Sequence, residues 1–417
     1  MYYRLTPKVA LRKWKYVDRA IYLKGVEDAQ KVSQEDFDLL CLCDASHDLP
    51  EDPRLENLEK KGFVQKCEKG DEVNSWSLLH EYDNFYFPKM NLMVTGKCNL
   101  NCLHCFNAKD NAPLNSELSY EDVLHILDQA RDIGVNAFTL TGGHGQECRE
   151  LEDGRCLLDG AGAEELTLKA ISLCVKNGFR VKAQVQVNRK NVSVMMKTAE
   201  VLDKLGVETM RIIRTTEAPR WEKNAPQSSL GIEEYYESML KFACEYAASG
   251  LQMEVDVWQF LRLNPPHRCY ELVPIACNKH DFNLRIPMCK GNRGMIAVSS
   301  SGEVVPCLQM SGYFLEKGIS LGNLFKTPLK ELTKDSPYLD LAIAPLLKQI
   351  LENDKCGNCK YYKACTGGCP ALGLLYSKES NFYHEDITKC VFFENGWYEK
   401  TVDALKRWRL QNPLDID

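Results

Sequence analysis

Between Met90 and Trp258 the apolar positions switch repeatedly between two rhythms. The short runs "MNLMVTG", "AFTLTGG", "RVKAQVQV", "TMRIIRT" and "LQMEVDVW" are continuously apolar or alternate in steps of two, as strands do. Between them lie "SYEDVLHILDQARDIG", "EELTLKAISLCVKNG", "VSVMMKTAEVLDKLG" and "IEEYYESMLKFACEYAASG". Their apolar residues recur every three or four positions, and each run closes on glycine, as helix C-termini prefer. Repeated strand–helix units predict an α/β protein with a parallel sheet and right-handed crossovers, either barrel-like or doubly wound. In a barrel, chemistry gathers at the C-terminal strand ends, where Cys98 and the Gly142–Gly143 pair fall.

The rhythm differs on either side of this region. In residues 1–85, "SQEDFDLLCLC" places a capping Ser33 ahead of Phe37, Leu40 and Leu42. "PRLENLEKKGFVQKC" then gives a second short helix that ends at Gly62 and leads into a strand. Together they predict a small, separate, winged-helix-like module. The basic stretch "RKWKYVDR" reads as a solvated strand or helix face. After about residue 280 the alternation stops. "GMIAVSSSGEVVPC" reads as a hairpin turning at Ser301–Gly302, and cysteines dominate from there on. The predicted units are 1–85, 86–280 and 281–417.

Composition narrows the function classes. A net charge of −6 with mixed signs throughout the 417 residues argues against a generic nucleic-acid partner. No apolar run reaches membrane-spanning length, and the N-terminus lacks a signal peptide's apolar stretch, so no membrane partner and a cytoplasmic location are expected. Nineteen cysteines in such a chain point to zinc or iron–sulfur ligation rather than to disulfides.

"CNLNCLHCF" puts Cys98, Cys102 and Cys105 on one loop. Three thiolates can hold three irons of a cubane cluster and leave the fourth open; zinc, with His104 completing the set, is the competing reading. The C-x3-C-x2-C spacing at a barrel mouth resembles the radical S-adenosylmethionine superfamily, whose core is a partial (β/α)6 TIM-like barrel. The resemblance implies that the open iron chelates the amino and carboxylate groups of S-adenosylmethionine. It further implies reductive cleavage of that cofactor, fed by a low-potential flavodoxin- or ferredoxin-type donor, and hydrogen abstraction by a 5′-deoxyadenosyl radical. Cofactor contacts would come from His104 and Phe106 in the loop, from Gly142, Gly143 and His144, and from Asn188 and Arg214 at the next two strand ends. In "TLTGGHGQE", His144 stands where the family carries an acid, with Glu147 as a nearby substitute.

Downstream come Cys289, Gly302 and Cys307, then Cys356-x2-Cys359-x5-Cys365-x3-Cys369, and Cys390. "CTGGCP" is like the C-x3-C-P ending of two-cluster ferredoxins, which suggests two clusters with interleaved ligands. These spacings resemble the SPASM domain. That resemblance implies an outer cluster on Cys356, Cys359, Cys365 and Cys390, and an inner one on Cys289, Cys307 and Cys369. The fourth inner ligand is open between Cys277, Cys269 and no protein ligand at all. Three [4Fe–4S] clusters are expected in total. Cys41, Cys43, Cys67, Cys174 and Cys244 fit better as small core residues. The long insertion after the Gly–Gly pair carries Cys148 and Cys156 and suits a lid, a hydrogen-atom donor or a plain surface loop.

The N-terminal module resembles the precursor-peptide recognition element of peptide-maturing enzymes, implying leader binding by strand addition at a sheet edge. The combined expectation is a radical SAM/SPASM enzyme of the RiPP maturase type, an oxidoreductase that cross-links a ribosomal precursor peptide through a C–C or thioether bond. Sulfatase-maturase-like residue oxidation and epimerisation are alternatives of the same class. A non-catalytic iron–sulfur electron carrier and a zinc-stabilised peptide-binding scaffold are alternatives outside it.

Overall fold

The computed structural model describes residues 1–15, 17–26, 29–97, 116–142, 163–214, 227–277, 282–289, 295–377 and 381–415. Cys98, Cys102, His104, Cys105, Phe106, Gly143, His144, Glu147, Cys148 and Cys156 lie outside the described residues. Among the described residues no helix is long and apolar enough to cross a membrane.

In the N-terminal region three strands precede the helices: β1 (Tyr2–Leu5), β2 (Val9–Trp14) and β3 (Val17–Leu23). The helices Gln34–Cys41 and Pro53–Lys60 follow, capped by Ser33 and Asp52, and then come β4 (Val64–Cys67) and β5 (His80–Glu81). β1 pairs antiparallel with β4, and β2 lies between β3 and β5. The period-two alternation along β2 has a purpose here: Val9 and Leu11 pack with the two helices, while Ala10 and Trp14 join Tyr22 in an aromatic cluster. The basic stretch is therefore not simply a solvated face. Arg12 is 4% exposed, and its guanidinium donates to the carbonyls of Leu11, Leu78 and Trp76 at 2.7, 3.1 and 2.9 Å. Burial pulls its pKa below the ordinary value. Three carbonyl acceptors make that burial tolerable.

The central region carries β6 (Lys89–Thr95), β7 (Ala137–Gly142), β8 (Lys182–Val187), β9 (Thr209–Arg214) and β10 (Glu254–Val257), each where the pattern places it. Helices Tyr120–Arg131, Ala163–Lys176, Met195–Lys204 and Ile232–Ser249 separate them. The later strands are β11 (Leu261–Asn264), β12 (Cys269–Leu272), β13 (Met295–Val298), β14 (Val304–Val305) and β15 (Arg409–Leu410). They are distributed over two sheets, ordered β14-β13-β6-β7 and β15-β12-β11-β10-β9-β8. β6 is parallel to both β7 and β13, and β8, β9 and β10 are mutually parallel. Among the described strands β7 and β8 do not pair, so the expected single barrel ladder is split at the crossover that includes residues 143–162.

That split leaves apolar surface uncovered: Leu140 on β7 and Leu173 on the following helix are each 63% exposed. It also corrects the expectation for Cys174, which is exposed on the same helix, whereas Cys43 is fully buried and Cys41, Cys67 and Cys244 are partly so.

Each sheet has its own core. On the larger one, Tyr235, Met239, Phe242 and Tyr246 of helix Ile232–Ser249 recur at helical spacing and pack on Met210, Ile212, Val255 and Val257. Burying each such side chain contributes about 1.5–3 kcal/mol. The tyrosine hydroxyls remain satisfied: Tyr235 donates to Trp258 O at 2.7 Å and Tyr246 to Met253 O at 2.6 Å. On the smaller sheet Met90 and Leu92 meet Ile296, Val298 and Ile126.

The N-terminal region docks on the end of helix Tyr120–Arg131. Trp14 Nε1 donates to Ile133 O at 3.1 Å and Tyr22 OH to Gly134 O at 3.0 Å. Gly134 has φ +83°, and a Cβ there would lie 2.7 Å from the Tyr82 ring and 2.8 Å from Trp14 Nε1. Gly134→Ala is therefore expected to cost about 2 kcal/mol of stability, visible as a lowered Tm in thermal denaturation. An unchanged Tm would show that this aromatic seat is not formed.

Candidate iron–sulfur sites

The base of the Cys98–Cys105 loop is well defined. β6 runs out at Thr95, and Gly96 N donates to Ser116 O at 2.8 Å while Leu118 N donates to Val94 O at 2.9 Å. Lys97 and Glu117 close an ion pair at 2.6 Å across the same neck. The chain thus leaves and re-enters at one point, the C-terminal end of β6. Beside it sits Gly142, opposite Thr95 in the parallel ladder. A Cβ on Gly142 would lie 2.7 Å from Thr95 O, so only glycine allows the two strand ends to come this close.

Two further predicted residues end the neighbouring strands, and both are buried. Asn188, at the end of β8, holds its own turn: its Oδ1 accepts from Lys190 N at 2.9 Å. Arg214, at the end of β9, is 1% exposed and donates to Leu230 O at 2.8 Å and to the Tyr376 hydroxyl. Tyr376 closes helix Pro370–Tyr376, the helix that Cys369 caps, so Arg214 ties the larger sheet to the cysteine-rich segment.

The hairpin of β13 and β14 forms as the pattern predicts, with Gly302 at φ +80° in its turn and Cys307 just beyond β14. Because β13 pairs with β6, this hairpin lies beside the strand that feeds the Cys98 loop. Ser300 and Ser116 join hydroxyls at 2.9 Å, stitching the hairpin to the loop's neck.

The C-terminal thiols fall into two sets by their mutual influence. Burial first, then Cys365, Cys390, Glu385 and Cys359 push the Cys356 thiol well up. Burial raises Cys390 to about 12, against the opposing Lys355, with Glu394, Cys365 and Glu385 adding to the rise. Burial likewise raises Cys365 to about 11, opposed by Lys389. In the second set, burial followed by Asp386, Cys289 and Cys307 raises Cys369, and burial with Cys289 raises Cys307 to about 11. Among the described residues no three His, Cys, Asp or Glu side chains form a ready metal cage. The sets are sets of neighbours.

Cys269 and Cys277 are the two candidates for a fourth inner ligand. Cys269 is buried in β12, where its Sγ accepts from Gln411 Nε2 at 3.1 Å. Cys277 N donates to Ala364 O at 3.2 Å, which places its backbone next to Cys365.

Local backbone explains "CTGGCP". Thr366, Gly367 and Gly368 take φ +51°, +74° and +79° in succession, turning the chain between Cys365 and Cys369. A Cβ on Gly367 would fall 1.7 Å from Gln349 Oε1, and one on Gly368 would fall 2.3 Å from Asp386 Cβ. Gln349 is fully buried, and its Oε1 also accepts from Tyr362 OH at 2.9 Å. Gln349, Tyr376, Asp386 and Lys389 were not legible as site residues. Asp386 carries an N-cap signal, but its contact with the thiol loop is purely tertiary.

Comparison with known proteins adds three findings. Residues 289–366 match SPASM, an iron–sulfur cluster-binding domain. The chain is 24% identical over 349 residues to an AdoMet-dependent heme synthase of Methanosarcina barkeri, a match covering 72% of this chain and 95% of that protein. Its fold is similar to that of SuiB from Streptococcus suis, solved with its precursor peptide SuiA (TM-score 0.60, 12% identity) over 93% of this chain and 99% of that one. The form of SuiB bound to S-adenosylmethionine superimposes with a TM-score of 0.57 at 12% identity, over 92% of this chain and 99% of that one.

Raised thiol pKa values have a measurable consequence. In metal-free protein, Cys307, Cys365 and Cys390 remain thiols at pH 8 and lose their protons only as pH climbs towards about 11–12. Iodoacetamide at pH 8 is therefore expected to label the exposed Cys174 long before these three, with their labelling rising steeply at higher pH. Peptide mapping by mass spectrometry checks this; equal labelling of all four at pH 8 would contradict it. Each raised thiol favours the fold below its unfolded pKa, and that contribution disappears as pH rises through the folded value.

Proposed function

We propose that the chain is a radical S-adenosylmethionine enzyme whose C-terminal SPASM segment holds two auxiliary clusters and whose substrate is a ribosomally made peptide. The observation that carries the reading is the joining of the Cys98–Cys105 loop neck, through Ser116 and Ser300, to the hairpin that leads to Cys307. A cluster-binding loop at a strand end and an auxiliary set beside it are what electron exchange between such centres requires.

The donor chemistry fits. Seven thiols in two neighbour sets suit iron–sulfur cubanes, and binding would release the protons that burial keeps on Cys307, Cys356, Cys365, Cys369 and Cys390. On this reading Cys98, Cys102 and Cys105 hold the cluster that takes S-adenosylmethionine; Cys356, Cys359, Cys365 and Cys390 hold the outer auxiliary cluster; Cys289, Cys307 and Cys369 hold the inner one. S-adenosylmethionine, when bound and reduced, supplies a 5′-deoxyadenosyl radical able to take a hydrogen atom from an unactivated carbon. Gly142 keeps the ends of β6 and β7 close together, and Arg214 ties the larger sheet to the auxiliary segment.

A peptide substrate is supported by the N-terminal region. Its strands and helices are docked at Ile133 and Gly134, and the likeness to the peptide-bound SuiB structure extends over 93% of the chain. The proposed product is an intramolecular C–C or thioether cross-link, two electrons more oxidised than the substrate, with the auxiliary clusters as the electron exit.

A second reading is favoured by the relatives named AdoMet-dependent heme synthase, one of which is matched over 95% of its length. There the substrate would be a haem precursor. Only 72% of this chain takes part in that match, which leaves more than a quarter of it to another role.

Anaerobic reconstitution separates the readings. About twelve irons and twelve acid-labile sulfides per chain are expected, for three cubanes. Reductive cleavage of S-adenosylmethionine should occur and should be lost in Cys98→Ala. Zinc without labile sulfide, or undiminished cleavage in that variant, would reject the enzyme class. Turnover of a porphyrin but of no precursor peptide would transfer the assignment to the second reading.

A further inference from the structure

Asp386 is the one buried carboxyl group at the junction of the two thiol sets among the described residues, being 1% exposed. Its Oδ2 accepts from Cys369 N at 2.9 Å, on the inner-set loop. Its Oδ1 accepts from Thr388 N at 3.0 Å and from the Thr388 hydroxyl, capping helix Ile387–Glu394, which carries Cys390 of the outer set. The cap is reinforced from the larger sheet's helix, where Tyr236 OH donates to Thr388 O at 3.0 Å. Gly368 has no Cβ because Asp386 occupies that space. One turn on, Lys389 is 7% exposed and its Nζ donates to Cys365 O at 3.1 Å. A negative group thus faces the Cys369 loop, and a positive one faces the Cys365 loop from the same helix.

We infer that Asp386 is a positioning residue that locks the inner and outer ligand loops into one unit and holds the auxiliary pair at a lower reduction potential than it would otherwise have. The inference rests on the cluster reading above. Its physics is elementary. A reduced cluster carries one more negative charge than an oxidised one, so a fixed anion bonded to a ligand's backbone, in a site of low dielectric, disfavours reduction. The same two oxygens fix the Cys369 loop relative to the Cys390 helix, so ligands separated by twenty residues are presented together.

The test compares full-length wild type, Asp386→Asn and Asp386→Ala after anaerobic reconstitution. Iron and sulfide are assayed, and EPR-monitored redox titration is run with the Cys98–Cys105 cluster as internal reference. Asp386→Asn keeps the shape and one acceptor oxygen. It is expected to retain its auxiliary clusters, with their midpoint potentials shifted upward while the reference cluster's stays put. Asp386→Ala, which empties both contacts, is expected to fall to about one third of the wild-type iron, one cubane of three. Far-UV circular dichroism distinguishes that loss from global unfolding, and if Asp386→Ala does unfold, the Asp386→Asn potential decides alone. Auxiliary potentials in Asp386→Asn equal to wild type would overturn the inference while leaving the cluster reading intact. Wild type without labile sulfide would reject the cluster reading itself, and the inference with it.

Discussion

The parallel ladder between β6 and β13 is the constraint on which the arrangement depends. Met295 pairs with Lys89 and Val298 with Leu92, although some two hundred residues separate the strands. Closing so long a loop is entropically expensive, and the recompense is burial: Met90, Leu92, Ile296 and Val298 are all fully buried in one core. Without this ladder the β13–β14 hairpin has no reason to lie against the end of β6. Ser300 would then not reach Ser116, and the neck at Gly96 and Ser116 would not be joined to the hairpin that leads to Cys307.

A second long-range tie works across the first. Helix Pro370–Tyr376 buries Ala371 and Leu374 in the core of the smaller sheet, and its terminal Tyr376 hydroxyl accepts from Arg214 at the C-terminal end of β9 in the larger. Ahead of it, three successive left-handed residues turn the chain between Cys365 and Cys369. The cores underneath follow the same division. Ala364, Phe392 and Trp397 pack with the larger sheet's cluster, and Met310 and Phe314 with the smaller one's. The cysteine-rich segment therefore packs on the cores of both sheets, which do not pair with one another among the described residues.

The fold is similar to that of SuiB, solved with a precursor peptide, while the sequence is similar to a protein named AdoMet-dependent heme synthase. That is physically reasonable, because thiolate sets and strand ends supply chemistry, whereas substrate choice lies in surfaces that can change while the scaffold stays constant. On the proposed reading the N-terminal region of this chain is one such surface. It is seated through buried aromatic rings and carbonyl bonds rather than tethered by a linker, so anything bound on it would be held at a fixed place relative to helix Tyr120–Arg131.

Local order was written in the sequence because it depends on neighbours in the chain. The strand and helix runs from Met90 to Trp258, the cap at Ser33, the Gly302 turn and the cysteine spacings could all be read there. Three N-terminal strands could not. β2 is buried on both faces, so Arg12 and Trp14 look like surface residues until their carbonyl partners are brought near. The pairing of β13 with β6, the lack of a β7–β8 ladder among the described residues and the contact of Asp386 with Cys369 likewise belong to the folded chain alone. A pattern of periods and spacings fixes which residues can act, since propensity and ligand type are properties of the residues themselves. Which of them meet is decided by burial and hydrogen bonding between segments hundreds of residues apart, and that exists only in three dimensions.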